Sequence, residues 1–432
     1  MALSSTASSV SRHWLKSPSG GGSPTGMAYF RHFLQSKRPE LSRSPILVIA
    51  SEVGNDGSSK AQSQVSQTIQ HVQFTLAQQL GLRTVSSTIS LAYPTVDDIE
   101  QKLDLASRTG ALTSSGTIVA VGSGAAIDLA KAVSGSSAIS SSGNSPSLIL
   151  VPATYPAYWA CGSNYSLVVD STEGAILPYP SSSINNNNNN VGDMDDNNKM
   201  IIAPLESKFV SPMIMTQEAS MQVVYAASAI VLDAWYRIKG NTVGTSSQQD
   251  QEQLVDLVTK INTCLDGNNE SDGTSNNISH ETLIDISYQA GSLMSFGLDT
   301  SINDDRSSPL ALATSLLAQD VFPYYNIITF YASLVPGICQ IILQDNQEYD
   351  DENILVQQVT ALIQKLVAAT TTGDDRLPSS LYLPPKLTVQ KEFEGYAIPD
   401  LALSHIHANQ ALWKCLDLDD TTLINILQHS LK

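Results

Sequence analysis

TIVAVGSGAAIDLAKAV, residues Thr117 to Val133, decides the fold. Thr117 to Val121 is a run of β-branched and small apolar residues, the pattern of a buried strand. It meets Gly122-Ser123-Gly124 and turns at once into a helix over Ala125 to Val133. Glycines at such a junction permit a tight turn and a close approach of ligand to backbone. The unpaired N–H groups and the dipole of the helix start favour an anion, typically the pyrophosphate of a dinucleotide. A packed turn with no ligand is the plain structural alternative.

The flanking segments set this junction in a sheet. Pro45 to Ala50 reads as a first buried strand, and Lys60 to Leu80 as a helix with Val65, Ile69, Val72, Leu76 and Leu80 on one face. Thr84 to Ser90 reads as a second strand. Thr95 then opens a helix, with Asp98 three residues on in a capping-box arrangement and Ile99, Leu103 and Ala106 facing inward. Leu148 to Val151 is a further strand. Strands alternating with helices call for a doubly wound parallel sheet, whose ligands bind at the carboxyl ends of the strands. Gly122 to Ala125 and Thr154 to Asn164 both fall at that edge. Tyr165 to Asp170 and Met200 to Ala203 read as two short strands separated by Pro180 to Asn198, a polar tract with six consecutive asparagines. That tract and a second, Asp266 to Asn277, are expected to be loops.

From about Glu206 the pattern is helical only: Thr216 to Ile238, Gln249 to Cys264, His280 to Met294, Leu310 to Gln319, Tyr324 to Leu343, Glu352 to Ala369, Pro399 to Leu416 and Asp420 to Leu431. In Glu352 to Ala369 the stripe Ile354, Leu355, Val359, Leu362, Ile363 and Leu366 is expected to be core. Three segments result: a tail or presequence over 1–44, an α/β domain over 45–205 and an all-helical domain over 206–432.

The chain has 432 residues and a formal net charge of −18, which argues against a nucleic-acid partner. No run approaches the ~18 apolar residues of a membrane span, so a soluble protein is expected. Cys161, Cys264, Cys339 and Cys415 show no metal-type or redox-type spacing and read as reduced thiols. Residues 1–39 lack Asp and Glu but hold Arg12, Lys16, Arg31, Lys37 and Arg38 in a Ser-rich background. That composition suits a transit peptide to a mitochondrion or other organelle, or a disordered tail on a cytoplasmic protein; both readings stay open.

Gly122-Ser123-Gly124-Ala125-Ala126-Ile127-Asp128-Leu129-Ala130-Lys131 resembles the Gly-Gly-Gly-Ser-x-x-Asp-x-x-Lys signature of the iron-containing alcohol dehydrogenases, a superfamily that also holds glycerol dehydrogenase and dehydroquinate synthase. Pro94-Thr95 is similar to that family's Asn-Pro-Thr helix start. Leu150 to Thr154, followed by Cys161-Gly162-Ser163-Asn164, is similar to its Pro-Thr-Thr…Thr-Gly-Ser-Glu segment. The order and spacing of the three blocks carry the resemblance, from about Pro45 to the C-terminus. It implies a Rossmann-like doubly wound sheet followed by an all-α domain, as in dehydroquinate synthase, and NAD or NADP as cofactor. The cofactor-binding positions it implies are Gly122, Ser123, Gly124, Ala125, Asp128, Lys131, Thr154, Gly162 and Ser163. For Asp128 and Lys131 the structural alternative is a helix-N-terminal carboxylate and a solvated lysine.

The family's metal set does not carry over. Its Asp-Ala-x-x-His segment falls on Asp233 to Arg237, so Asp233 matches a ligand and Arg237 stands in place of histidine. His-Ala-x-Ala-His falls on Leu310 to Thr314, and the last histidine on Tyr324 or Ile327. The histidines are His13, His32, His71, His280, His405, His407 and His429, with none from 281 to 404. His405 and His407, two apart on a helix, point in different directions and cannot readily chelate. No divalent metal is therefore expected. Asp233 and Arg237 are expected to pair across one helical turn, and Arg237 to hold a substrate oxygen or carboxylate. Tyr155 or Tyr158 is a conjectured proton donor.

Three functional readings follow. The first, which is adopted, is an NAD(P)-dependent oxidoreductase moving hydride between nicotinamide and a small alcohol or carbonyl, without the usual metal. The second is an inactive relative that keeps the fold and nucleotide binding. The third is a structural or regulatory partner that binds no cofactor. A homodimer is left open.

Overall fold

The computed structural model describes residues 11–14, 27–51, 59–91, 93–113, 115–135, 146–163, 165–169, 176–180, 199–205, 217–240, 248–267, 278–293, 327–344, 354–371, 424–426 and 428–429. The chain divides into two compact units, Met1–Pro212 and Met213–Lys432. The sequence places the division at 205/206, and residues 206–216 lie outside the described residues.

Unit 1 is built on six parallel strands: β1 (Ser11–Trp14), β2 (Ile46–Ser51), β3 (Thr84–Ile89), β4 (Thr117–Gly122), β5 (Ser147–Pro152) and, after a separate hairpin, β8 (Lys199–Ile202). Their order is β1-β8-β5-β4-β2-β3, and every pairing is parallel. The chain leaves β2 for the edge strand β3, then crosses back over β2 to β4 and proceeds the other way. The order reverses between β2 and β4, and at such a switch point the carboxyl ends splay into a crevice. β2 and β4 are buried along their whole length, as strands covered on both faces must be. The edge strand β3 is only half-buried.

The helices of this unit are α1 (Met27–Ser36), α2 (Arg38–Leu41), α3 (Ser59–Phe74), α4 (Val96–Thr109), α5 (Gly124–Gly135) and α6 (Tyr155–Gly162). Val65, Ile69, Val72, Leu76 and Leu80 are all buried, and Thr75–Gln79 continues α3 as one π-helical turn. The Thr95–Asp98 capping box is formed, with both reciprocal hydrogen bonds. Ile99 and Ala106 of α4 are buried, but Leu103 is half-buried and the Lys102 stem takes its place. A long lysine stem covers apolar surface as a leucine does.

Three features differ from expectation. Residues 11–14 and 27–41 form a strand and two helices, not a disordered tail. Met27, Phe30 and Leu34 are buried and lie at helical spacing, so this segment has an apolar face to dock. A strand β7 (Ile176–Pro180) pairs antiparallel with β6 (Tyr165–Val169), making a hairpin separate from the main sheet. α5 is buried from Ala125 through Ser134, since apart from Asp128, Lys131 and Ser134 its surface is alanine and larger aliphatic side chains.

Among the described residues unit 2 holds helices and no strand: α7 (Gln217–Gly240), α8 (Gln248–Gly267), α9 (His280–Leu293), α10 (Ile327–Gln344) and α11 (Ile354–Thr371). α7 is buried on all sides from Met221 to Trp235, apart from half-buried Gln222. It packs on α8, α9, α10 and α11. On α11 the stripe Leu355, Val359, Leu362, Ile363 and Leu366 is core, while Ile354 is 65% exposed and Val356 is buried instead. As the first residue of the helix, Ile354 has no turn before it to rest on. Cys161, Cys264 and Cys339 are buried, and among the described residues they form no disulfide. The expected helices over 310–319 and 399–416, the histidines His405 and His407, the polar tracts at 181–198 and 268–277, and Cys415 lie outside the described residues.

Gly122 has a φ of +119° and faces Ser51 across β2 and β4; a Cβ there would stand 2.2 Å from the Ser51 carbonyl oxygen. Gly122→Ala is expected to cost about 2 kcal/mol or more in urea unfolding, from strain and overlap together. Gly110→Ala is the control: its φ is +78° with nothing within 4 Å, and it should cost only about 1 kcal/mol. Equal effects at both sites would show that the β2–β4 contact does not constrain the turn.

Candidate functional site

The site begins where β2, β4 and β5 end. The Ser123 hydroxyl donates to the Ser51 hydroxyl at 2.7 Å, and the Ser123 N–H points at the Ser51 carbonyl at 3.4 Å. On the other side the Ala153 N–H donates to the Gly122 carbonyl at 2.9 Å. The strand ends are thus tied together around Gly122. The left-handed position of the turn is Gly122, and Ser123 is accommodated as a buried hydroxyl with a partner. Ser51 was not singled out from the sequence; its signal is the serine closing an otherwise apolar strand.

Two helices start at this edge. α5 begins at Gly124, directly after β4, and α6 begins after β5 with Thr154 as N-cap, its side chain accepting from the Ala157 N–H at 3.3 Å. The two starts touch: a Cβ on Gly124 would lie 3.3 Å from the Pro156 carbonyl and 3.9 Å from the Ala160 Cβ. A valine at 124 would therefore press on α6 rather than project into ligand space. The orphan N–H groups in the first turn of α5 suit a phosphate, whereas α6 offers fewer, because Pro156 has no N–H and Thr154 takes that of Ala157.

Asp128 and Lys131 stand one turn further along α5. Lys131 is fully buried, so the solvated alternative is corrected: α5 has no solvent face at this point. Its ammonium donates to the carbonyls of Ala160 at 2.7 Å, Ser163 at 2.9 Å and Tyr165 at 2.6 Å. An ammonium has three N–H donors, so none is left for a cofactor, and Lys131 bears on a ligand only through what it holds in place. Asp128 Oδ1 lies 3.7 Å from the Lys131 ammonium, and the Leu167 N–H stands near enough to favour its charged form. Burial pushes the Asp128 carboxyl up to about 7, against the opposing pull of Lys131 and the Leu167 N–H. Burial, reinforced by the charge of Asp128, also raises the half-buried Tyr93 phenol above the usual tyrosine range.

Gly162 and Ser163 close α6. Ser163 is the C-cap, its N–H bonded to the Trp159 carbonyl at 3.1 Å and its hydroxyl accepting the Tyr165 N–H at 3.1 Å. These two residues shape the corner between α6 and β6. Tyr158 is fully buried, and its hydroxyl accepts the Leu205 N–H at 3.1 Å. Burial holds its phenol above the usual tyrosine range. The conjecture of a proton donor at Tyr158 is corrected, because the ring anchors the segment after β8 inside unit 1. Tyr155 is likewise buried.

In unit 2, Asp233 is buried on α7 at 3% exposure. Arg237 lies one turn on in the same helix, and its side chain is outside the described residues, as are 310–314 and Tyr324. Among the described residues no three His, Cys, Asp or Glu side chains gather as a metal site. The donor set does not fit the family's metal: one carboxylate is at hand, and the sequence holds no imidazole from 281 to 404. The Gly122 turn and the start of α5 do fit the pyrophosphate of a dinucleotide. No described helix is long and apolar enough to cross a membrane.

No protein-family model and no curated protein sequence matches the chain. Solved structures do match in fold. An iron-containing alcohol dehydrogenase from Thermotoga maritima superposes with a TM-score of 0.57 at 11% identity, over 92% of this chain and 95% of that one. Maleylacetate reductase from Agrobacterium tumefaciens gives 0.55 at 14% identity, over 98% and 97%. NADH-dependent butanol dehydrogenase A from Thermotoga maritima gives 0.54 at 13% identity, over 97% and 100%. The fold implied by the resemblance, a Rossmann-like unit and an all-helical unit, is the fold found.

The buried Asp128 makes stability depend on pH. With a folded pKa near 7 and an unfolded one near 4, the folded chain binds a proton that the unfolded chain does not. The stability gained is full below about pH 4 and is lost as pH rises through about 7. Relative to Asp128→Asn, the parent should therefore gain in urea unfolding as pH falls from 8 to 5.5, by at most about 1.4 kcal/mol per unit. A flat or opposite difference would mean that Lys131 keeps Asp128 ionised.

Proposed function

We propose that the chain binds NAD or NADP across Gly122 to Ala125 and the start of α6, and acts as an oxidoreductase between nicotinamide and a small alcohol or carbonyl, without a divalent metal. The observation that carries the reading is Gly122. Its left-handed backbone and missing Cβ let β4 close on Ser51 and turn straight into α5 at the switch point of the sheet. The nicotinamide supplies the hydride chemistry. The protein's part is to take the pyrophosphate on the α5 N–H groups, with the start of α6 beside it, and to exclude water from the bound ring. Likeness of fold to dehydrogenases and a maleylacetate reductase supports the reading.

A second reading, an inactive relative that keeps nucleotide binding, is favoured by one observation. Tyr158 and Lys131, which stand beside the turn, are both buried and committed to backbone partners. Titration with NADH and NADPH, read by energy transfer from tryptophan to the reduced nicotinamide, should show saturable binding; its absence overturns both readings. Turnover with a panel of short aldehydes separates them, and binding without any turnover selects the second.

Elemental analysis of protein purified without added metal should find well below one iron or zinc per chain, and chelators should change neither stability nor activity. A tight divalent site requires several neutral imidazoles beside its carboxylate. One equivalent of zinc or iron, removed together with activity, would overturn the metal-free reading.

A further inference from the structure

The β6–β7 hairpin shares no ladder with the six-stranded sheet. β6 starts at Tyr165, at the end of α6, and runs to Val169, which meets the start of α4. There the Val169 N–H donates to the Pro94 carbonyl at 2.8 Å, and Val169 bridges Thr95, the α4 N-cap. The far end of β6 therefore stands at the carboxyl edge of the sheet, where α4 and α5 begin. Along its length β6 packs on α5: Lys131 takes the Tyr165 carbonyl at 2.6 Å, and Asp128 faces the Leu167 N–H. Three residues apart on a helix, the two side chains lie on one face. They face opposite kinds of backbone group on a strand that has no neighbour in the main sheet.

We propose that Asp128 and Lys131 are positioning residues: from one face of α5 they clasp β6, and so hold the β6–β7 hairpin as a wall of the ligand site at the α4 and α5 N-termini. Burying an ammonium and a carboxylate to hold neutral backbone groups is costly, and well-packed apolar side chains often fill such space at equal or better stability. An apolar side chain at 131 cannot hold three carbonyls in register. The pair secures the place of the hairpin, not merely the packing of α5. The ligand consequence rests on the dinucleotide reading, because the first turn of α5 would carry the pyrophosphate and its second turn carries the clasp.

Hydrogen exchange resolved by peptide, with NADH titration on the same proteins, tests this. In Lys131→Met and in Asp128→Leu, exchange over 163–169 should rise about tenfold, while 117–122 and 147–152 stay protected. NADH affinity should fall about tenfold at a temperature where both variants are fully folded. Asp128→Asn keeps an acceptor for the Leu167 N–H, so its NADH affinity should stay close to that of the parent. If Lys131→Met does not fold, Asp128→Leu and Asp128→Asn carry the comparison. Unchanged exchange over 163–169, or an equal rise across β4 and β5, overturns the clasp. Faster exchange with undiminished NADH affinity overturns the wall. A parent that binds no NADH sinks the dinucleotide reading, and the exchange pattern still decides the clasp.

Discussion

Lys131 is the interaction on which the architecture around the Gly122 turn depends. An ammonium offers three N–H groups and no acceptor, and here three carbonyls at 2.6 to 2.9 Å use all of them. They come from the last turn of α6, its C-cap and the first residue of β6. One cation thus joins a helix end, a corner and a strand start to the middle of α5. The carbonyls at a helix C-terminus carry partial negative charge, which favours a cation there, and the Asp128 carboxyl stands 3.7 Å away.

α5 is what makes that join matter. It is buried from Ala125 to Ser134 and packs on β2, β4, β5, α4, α6 and the hairpin. Its first turn presents N–H groups at the switch point of the sheet, and its second holds β6 in place. A small, densely packed helix has no room to move one end without the other. The placing of the hairpin and the placing of the Gly122 turn are set by one rigid element.

The sheet was legible because its signals are local. Six-residue apolar strands, the Thr95–Asp98 box and the Val65-to-Leu80 stripe each encode one element, and each is present as expected. The site was legible only at Gly122 and the two helix starts, where backbone geometry dictates residue type. Lys131 was placed among cofactor ligands, with solvent as its alternative, because a lysine in a sequence says nothing of three carbonyls found 29 to 34 residues later in the chain. The clue was the lack of any other polar surface on α5, which marks the helix as interior. β7 went unseen because its strand signal is short and begins just after the turn-forming run Ser171 to Gly174, where one longer loop is an equal reading. Met27, Phe30 and Leu34 went unseen because the Ser-rich, acid-free composition around them outweighed a short stripe.

Binding and turnover place different demands on such a chain. A dinucleotide held by helix-start N–H groups is held by backbone, which every residue but proline supplies. Only Gly122, where a side chain would strike Ser51, constrains identity strongly at the turn. A site of that kind can persist at the 11–14% identity that separates this chain from the structures sharing its fold. Metal-assisted chemistry instead needs several specific side chains at once, and losing any one leaves the others a buried liability. In this chain Asp233 is buried, and the sequence holds no imidazole from 281 to 404. The fold and the turn therefore argue for nucleotide binding more directly than for any one reaction.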